Sequence, residues 1–310
     1  MSTQPVRLAL VGLGKIARDQ HLPAIAGDPR FVLAATVDPH SPGTRSAPHF
    51  ATLAELLAAG LVIDAAAICT PPQARHDIAR QAIDAGLAVL LEKPPCATLS
   101  EAEALVARAA AAGTTLFAAW HSRFAATIDA ARVWLAAQTI EAVTITWRED
   151  VRHWHPGQPW IWEAGGFGVF DPGINALSIA TEILPAPLRV LGGTLAVPGN
   201  CAAPVAGEVA LADANGAAIA LDLDFLQTGH QTWDIRVSTA AGELLLSEGG
   251  ARLRYPGAAV DKEDVEYPAI YARFADLIAA GASDADLAPL RLVADAFMRC
   301  RIETAPDFYE

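Results

Sequence analysis

Short apolar runs alternate with helix-length segments over the first third of the chain, and period-two alternation of apolar and polar residues takes over in the remainder. Residues 6–11, 31–37, 63–68 and 87–91 read as strands, short runs bounded by turn formers. Between them a helix after Gly12 is expected to stop by Pro23, and another over 77–85 is expected to end at Gly86. Strands alternating with helices of this length predict parallel strands joined by crossover helices, a doubly wound α/β sheet. Further on, 143–147, 188–197, 208–212, 217–225, 233–239 and 243–247 read as half-buried strands, with hairpin signals at Asn215-Gly216, Ala241-Gly242 and Gly249-Gly250. Helices are expected over 128–137, 174–184, 269–280 and 287–301. The texture changes near Trp120–Phe124, which divides the chain into domains 1–121 and 122–310, the last helix being a candidate for return to the first domain.

Length supports that division, since 310 residues exceed the roughly 250–300 at which a single core stops growing. The apolar content of 53% is spread over short runs rather than one membrane-length stretch, which predicts a soluble protein. Met1-Ser2-Thr3-Gln4-Pro5 has no basic segment leading into a long apolar one, so a cytoplasmic location is the expectation. A formal charge of −13 and a pI near 5.0 argue against nucleic acid or an anionic membrane as partner and favour a small neutral substrate. Cys69, Cys96, Cys201 and Cys300 stand too far apart for a redox or zinc motif and read as reduced thiols. The eight histidines are scattered, and His153 and His155 alternate across a strand or loop, so no metal site is expected.

The chemistry-bearing residues sit where strands end. Gly12-Leu13-Gly14-Lys15-Ile16-Ala17 follows the first strand: Gly12 suits a tight turn, Gly14 a close approach of backbone to a pyrophosphate, and Ala17 close helix packing. Asp38 ends the second strand at the spacing of an acid that binds a ribose 2′-hydroxyl. Its carboxylate would repel a 2′-phosphate and so favours NAD, while His40 and Arg45 leave room for NADP. Glu92-Lys93-Pro94-Pro95 closes the run 87–91, where prolines stop a ladder and a lysine can reach a cofactor's reactive ring. Asp171 precedes Pro172 at the expected start of a helix, the pattern of an N-cap and a first-turn proline, and Asn175 falls on the same helix face.

In order along the chain, the glycine turn, Cys69-Thr70-Pro71-Pro72, Glu92-Lys93-Pro94-Pro95, Gly165-Gly166 and Asp171-Pro172-Gly173-Ile174-Asn175 resemble the glucose-fructose oxidoreductase/inositol dehydrogenase family. The stretches 147–158 and 167–178 resemble, within it, the bacterial dehydrogenases that oxidise L-arabinose and D-galactose at C1. The resemblance spans essentially the whole chain. It implies a Rossmann domain paired with an α+β domain built on an open, mostly antiparallel sheet, a homodimer, and oxidation of an aldose to its aldonolactone with hydride passing to NAD(P). It also implies that Lys93 and Asp171 line the reaction centre and that the cofactor is held by Gly12, Gly14, Lys15, Ile16, Asp38, Cys69, Thr70, Pro71, Glu92 and Lys93. Many family members carry a histidine where this chain has Asn175.

That departure leaves the base open between Lys93 and Asp171, with Asn175 as a neutral hydrogen-bonding substitute for the histidine. Lys93 is also the cation expected to stabilise a developing alkoxide at O1. Glu149, Trp154, His155 and Trp233 are the sugar-pocket candidates, because a sugar offers both hydroxyls and apolar C–H faces. His121 and Arg123, at the change of texture, are candidates for touching ligand or for pinning the domains. An NAD-dependent glycosidase of the same fold and a dinucleotide-sensing binding protein remain the alternative functions.

Overall fold

The apolar run that opens the chain forms β1 (Val6–Val11), a central strand of a six-stranded parallel sheet in the computed structural model. Residues 4–263 and 265–309 are described, and among them 4–121 with 267–287 make one unit and 122–266 with 288–309 a second. In the first unit β2 (Phe31–Val37), β3 (His49–Phe50), β4 (Ala65–Ile68), β5 (Ala88–Glu92) and β6 (Leu116–Ala119) complete the order β3-β2-β1-β4-β5-β6. Every residue of β4 and β5 is buried, as strands covered on both faces require. The order reverses between β1 and β4, which places the exits of those strands at the topological switch point where such sheets bind ligands.

Crossover helices α1 (Leu22–Gly27), α2 (Leu53–Ala58), α3 (Pro72–Asp84) and α4 (Leu99–Ala112) connect the strands. The first helix does not stop by Pro23: a wide π-type turn over Ala17–His21 leads into α1, and Pro23 sits in its first turn. α3 likewise starts at Pro72, ahead of the expected residue 77. The reason is shared, since a first-turn proline gives up an N–H that has no helical partner. At α4, Thr98 and Glu101 form a reciprocal capping box and Gly113 closes the other end in the left-handed conformation.

The second unit is organised on β7 (Ile140–Arg148), β8 (Leu188–Pro198), β9 (Ala206–Asp213), β10 (Ala218–Asp224), β11 (Thr232–Thr239), β12 (Gly242–Ser247), β13 (Arg252–Tyr255), β14 (Ala258–Asp261) and β15 (Arg301–Ala305). Their order is β14-β13-β12-β11-β7-β10-β9-β8-β15, antiparallel except where β7 meets β10 and β8 meets β15. Ile145 of β7 lies in register with Leu221 and Ile235 of its two neighbours, and all three are buried. The helices α5 (Ile128–Leu135), α6 (Val151–Trp154) and α7 (Phe170–Ile183) precede this sheet's hairpins, and α7 packs on β7 and β11.

Two helices follow the hairpins, α8 (Glu266–Ala280) and α9 (Ala288–Arg299). The one that returns to the first unit is α8, not the last helix: Tyr271 and Phe274 are fully buried there, and Phe274 stacks on Phe31 of β2 and Phe117 of β6. Beyond α8, Asp284 exchanges backbone hydrogen bonds with Leu116 and Ala118 and so extends the β6 edge. The smaller apolar side chains of α9, among them Leu290, Val293 and Ala296, stay in the second unit, where α9 packs on β8. Residue 301, expected to end the last helix, instead opens β15. Among the described residues no helix is long and apolar enough to cross a membrane.

Because fully buried Phe274 packs on both Phe31 and Phe117, Phe274→Ala is expected to cost about 3–5 kcal/mol of unfolding free energy, measured by urea denaturation.

Candidate active site

The chemistry-bearing side chains form two groups, one in each unit. In the first unit Gly12 has φ +87°, and a Cβ there would come within 2.8 Å of the Thr70 backbone nitrogen, so only glycine lets the turn pass this close to the exit of β4. At Gly14 a Cβ would meet nothing within 4 Å. Asp38 binds the turn to the end of β2: Oδ2 accepts the Leu13 N–H at 2.7 Å, while Oδ1 accepts those of His40 and Ser41 at 2.7 and 2.9 Å. Burial pushes this carboxyl's pKa up, but the three N–H donors outweigh it and hold the group below the usual carboxylate range.

Around that turn, Lys15 is exposed and paired with Asp19, and Ile16 is more than a third exposed. Cys69 is buried, and the buried Thr70 hydroxyl has no hydrogen-bond partner among the described residues. Pro71 immediately precedes α3. An open turn at Gly14, an ionised acid at the end of β2 and an unsatisfied hydroxyl at the exit of β4 fit a dinucleotide, whose pyrophosphate seeks N–H groups and whose ribose seeks an acid.

Glu92 was expected to face the cofactor, and the structure turns its carboxylate inward instead. It is 2% exposed; Oε1 accepts the Tyr267 hydroxyl at 2.6 Å and faces His21 Nε2 at 3.0 Å, and Oε2 accepts the Lys93 N–H at 2.7 Å. A buried carboxylate needs such partners, and satisfying them leaves it no outward reach. His21 Nδ1 lies 2.8 Å from the Tyr271 hydroxyl. Burial raises the Glu92 pKa, but the His21 contact and charge, the His121 charge and the Tyr267 hydroxyl together bring it down to about 2. Burial opposes a charge on His21 as well, yet Cys69, Tyr271 and Glu92 move its pKa well above the ordinary value. Arg75, itself buried, donates to the carbonyls of Glu92 and Pro94 on either side of Lys93 and to that of Thr70. Lys93 is thereby held at its backbone, half-buried. His121 stacks on Tyr267 at 5.7 Å in this unit.

His21, Arg75, Tyr267 and Tyr271 were not anticipated from the sequence. The one available signal was the i, i+4 spacing of Tyr267 and Tyr271 on a single helix face.

In the second unit Gly168, at φ +52°, lies so close to the Pro204 carbonyl that a Cβ there would overlap it at 2.2 Å. The Asp171 N–H then closes a turn onto the Gly168 carbonyl at 2.8 Å. Asp171 is not the N-cap: α7 starts at Phe170, so Asp171 lies inside the first turn, buried, and Pro172 falls among positions whose N–H has no helical partner. Asn175 follows one turn later, half-buried. His153 and His155 belong to the end of the short α6 rather than to an alternating strand.

His155 stands between two buried carboxylates, with Nε2 3.2 Å from Glu149 Oε1 and Nδ1 3.6 Å from Asp171 Oδ2. Trp233 donates its indole N–H to Glu149 Oε2 at 2.8 Å and lies 5.1 Å from the Trp154 ring, with Trp147 behind it at 6.1 Å. Glu149, Trp154, His155, Trp233 and Asp171 thus meet in one place, where hydrogen-bonding groups adjoin an aromatic wall. Arg123 bonds the Ser178 carbonyl and the Thr181 hydroxyl of α7, which engages it within this unit. Among the described residues no group of three or more His, Cys, Asp or Glu could hold a metal ion.

Residues 6–120 match the model of an oxidoreductase family with an NAD-binding Rossmann fold, GFO/IDH/MocA. The chain is 46% identical to a galactose 1-dehydrogenase of Pseudomonas fluorescens, over 99% of this chain and 100% of that one. The crystal structure of a D-galactose-1-dehydrogenase protein from Rhizobium etli superposes with a TM-score of 0.95 at 50% identity, covering 100% of this chain and 99% of that one. GenD2 from gentamicin A biosynthesis, in complex with NAD, shares the fold at a TM-score of 0.81 and 21% identity, covering 96% of this chain and 95% of that one.

The depressed Glu92 pKa has a pH signature. Its contribution to stability is complete above the unfolded value of about 4.5 and is lost as pH falls toward about 2. The contribution of His21 has the opposite sense, being complete below about 6.5 and lost only as pH rises through its raised folded value. Urea midpoints measured across the acid window are expected to drop steeply for the wild type and less steeply for Glu92→Gln, which starts lower at neutral pH.

Proposed function

We infer the reaction from one premise: the chain belongs to the GFO/IDH/MocA oxidoreductase family, with its NAD-binding Rossmann fold. The enzyme oxidises an aldose at C1 to the aldonolactone, and its substrate is D-galactose, L-arabinose or both. The two sugars share configuration at C2, C3 and C4 and differ by a hydroxymethyl group at C5. The observation that carries this reading is the meeting of Glu149, His155 and Asp171 beside Trp154 and Trp233, a set of groups suited to a ring with hydroxyls on its edge and C–H bonds on its face. It is supported by the likeness over the full chain to a galactose 1-dehydrogenase.

When bound, the nicotinamide dinucleotide supplies the ring that accepts the hydride from C1. Gly12 and Gly14 would shape the turn for its pyrophosphate, and Asp38 would hold the ribose 2′-hydroxyl, which favours NAD. Asp171 accepts the O1 proton, Lys93 stabilises the oxygen as negative charge develops on it, and Asn175 hydrogen-bonds the sugar as a neutral group. Glu149 fixes hydroxyls while Trp154 and Trp233 cover an apolar face.

Purified protein mixed with NAD and D-galactose or L-arabinose is expected to give steady growth of reduced-nicotinamide absorbance. Sugar turnover without net reduction would overturn the reading. Lys93→Met is expected to lower kcat by about 10²–10³-fold, and near-normal turnover would remove Lys93 from the chemistry. Asp38→Asn, which keeps an acceptor and removes the charge, is expected to move the NADP-to-NAD ratio of kcat/KM up by about tenfold.

A further inference from the structure

We propose that His155 is the proton relay of the second unit, carrying the substrate-derived proton from the Asp171 carboxyl to solvent. The proposal rests on the reading of the chain as an aldose 1-dehydrogenase in which Asp171 takes the O1 proton. A base with 4% side-chain exposure must be emptied once per turnover, and a group beside it with an outlet is the imidazole, 19% exposed. The second carboxylate touching that ring, Glu149, is also only 4% exposed.

The two ring nitrogens face different carboxylates. Trp233 donates to one oxygen of Glu149, and the other oxygen, at 3.2 Å, takes the Nε2–H of His155. The relay uses the tautomer with the proton on Nε2 and the lone pair on Nδ1, the nitrogen 3.6 Å from Asp171 Oδ2, which a protonated Asp171 would address with its O–H. The separation exceeds a formed hydrogen bond, as catalytic contacts often do before substrate tightens them. The ring is held in place by its backbone N–H on the Val151 carbonyl at 2.8 Å and by Phe225 packed edge-on at 5.4 Å. Other charged groups on the flanking segments are engaged elsewhere: Arg152 with Asp150, Arg148 with Asp222, and Asp224 with the Leu226 N–H.

In the proposed sequence the O1–H bond breaks as an O–H bond forms on Asp171 and C1–O1 becomes the lactone carbonyl, the C1 hydride being the one that a bound nicotinamide dinucleotide would accept. The Asp171 O–H bond then breaks as an N–H bond forms at His155 Nδ1, giving an imidazolium flanked by two carboxylates. Loss of that proton to water resets both groups, so each turnover yields one reduced cofactor and one proton.

The test compares His155→Gln, which keeps a donor for Glu149 but cannot relay, with His155→Ala, which leaves space for added imidazole. With D-galactose and NAD, His155→Gln is expected to lose about 10²-fold in kcat with KM little changed. Free imidazole is expected to restore turnover to His155→Ala and to leave the wild type unaffected. An unchanged kcat, a rise in KM alone, or a folded His155→Ala variant that imidazole does not rescue would each overturn the relay. Should neither variant fold, the wild type decides: a proton inventory of kcat in mixed light and heavy water that bows, with more than one proton in flight, supports the relay, and a linear one overturns it. A wild type that reduces no NAD with any aldose would strike the dehydrogenase reading instead, whereas an active wild type with an unimpaired His155→Gln strikes the relay alone.

Discussion

One buried carboxylate sets the geometry of the first unit. Taking an ionised carboxylate out of water costs several kcal/mol unless its lone pairs are filled, and Glu92 fills them with a phenol, an imidazole and a main-chain N–H. Those donors come from α8, from the turn before α1 and from Lys93, so the acid at the end of β5 obliges three separate stretches of chain to converge. The backbone of Lys93 is held by this convergence. Arg75 strengthens the same restraint from the carbonyl side.

The two units treat their histidines in opposite ways. His21 is sealed, 0% exposed, with both ring nitrogens committed, so it serves as a fixed strut. His155 also lies against a carboxylate but retains contact with solvent, and its second carboxylate contact is loose. The same residue types therefore yield a sealed support in one unit and a partly exposed ring between two carboxylates in the other. Burial is the variable that separates them.

Much of this architecture is legible in the sequence because burial on one or both faces leaves a period. β1 and β2 occupy the residues their apolar runs predict, and the hairpins joining β9 to β10 and β11 to β12 turn at Asn215-Gly216 and Ala241-Gly242. β15 left no such trace, since it is an edge strand whose residues are almost all exposed. Helix bounds were misread at Pro23 and Pro72, because the same residue ends a helix in its interior and opens one in its first turn. At the candidate site, Gly12, Asp38 and Lys93 could be singled out from local order, whereas Asp171 stood out mainly through the family resemblance. The inward turn of Glu92 could not, for its partners lie 71 and 175 positions away in the chain. The proximity of His155 to Asp171 was hidden similarly, since it depends on how α6 and α7 approach each other.

The return of α8 to the first sheet bears on synthesis as well as on packing. A nascent chain released from the ribosome only as far as residue 121 carries all six strands of that sheet but lacks Tyr267, Tyr271 and Phe274, the rings that close over His21, Phe31 and Phe117. Domains usually complete themselves in the order they are translated. Here the N-terminal sheet must wait, with apolar surface and the Glu92 carboxyl uncovered, until the second unit's long hairpin run has been made, so the half-finished sheet stays open for about half of its translation.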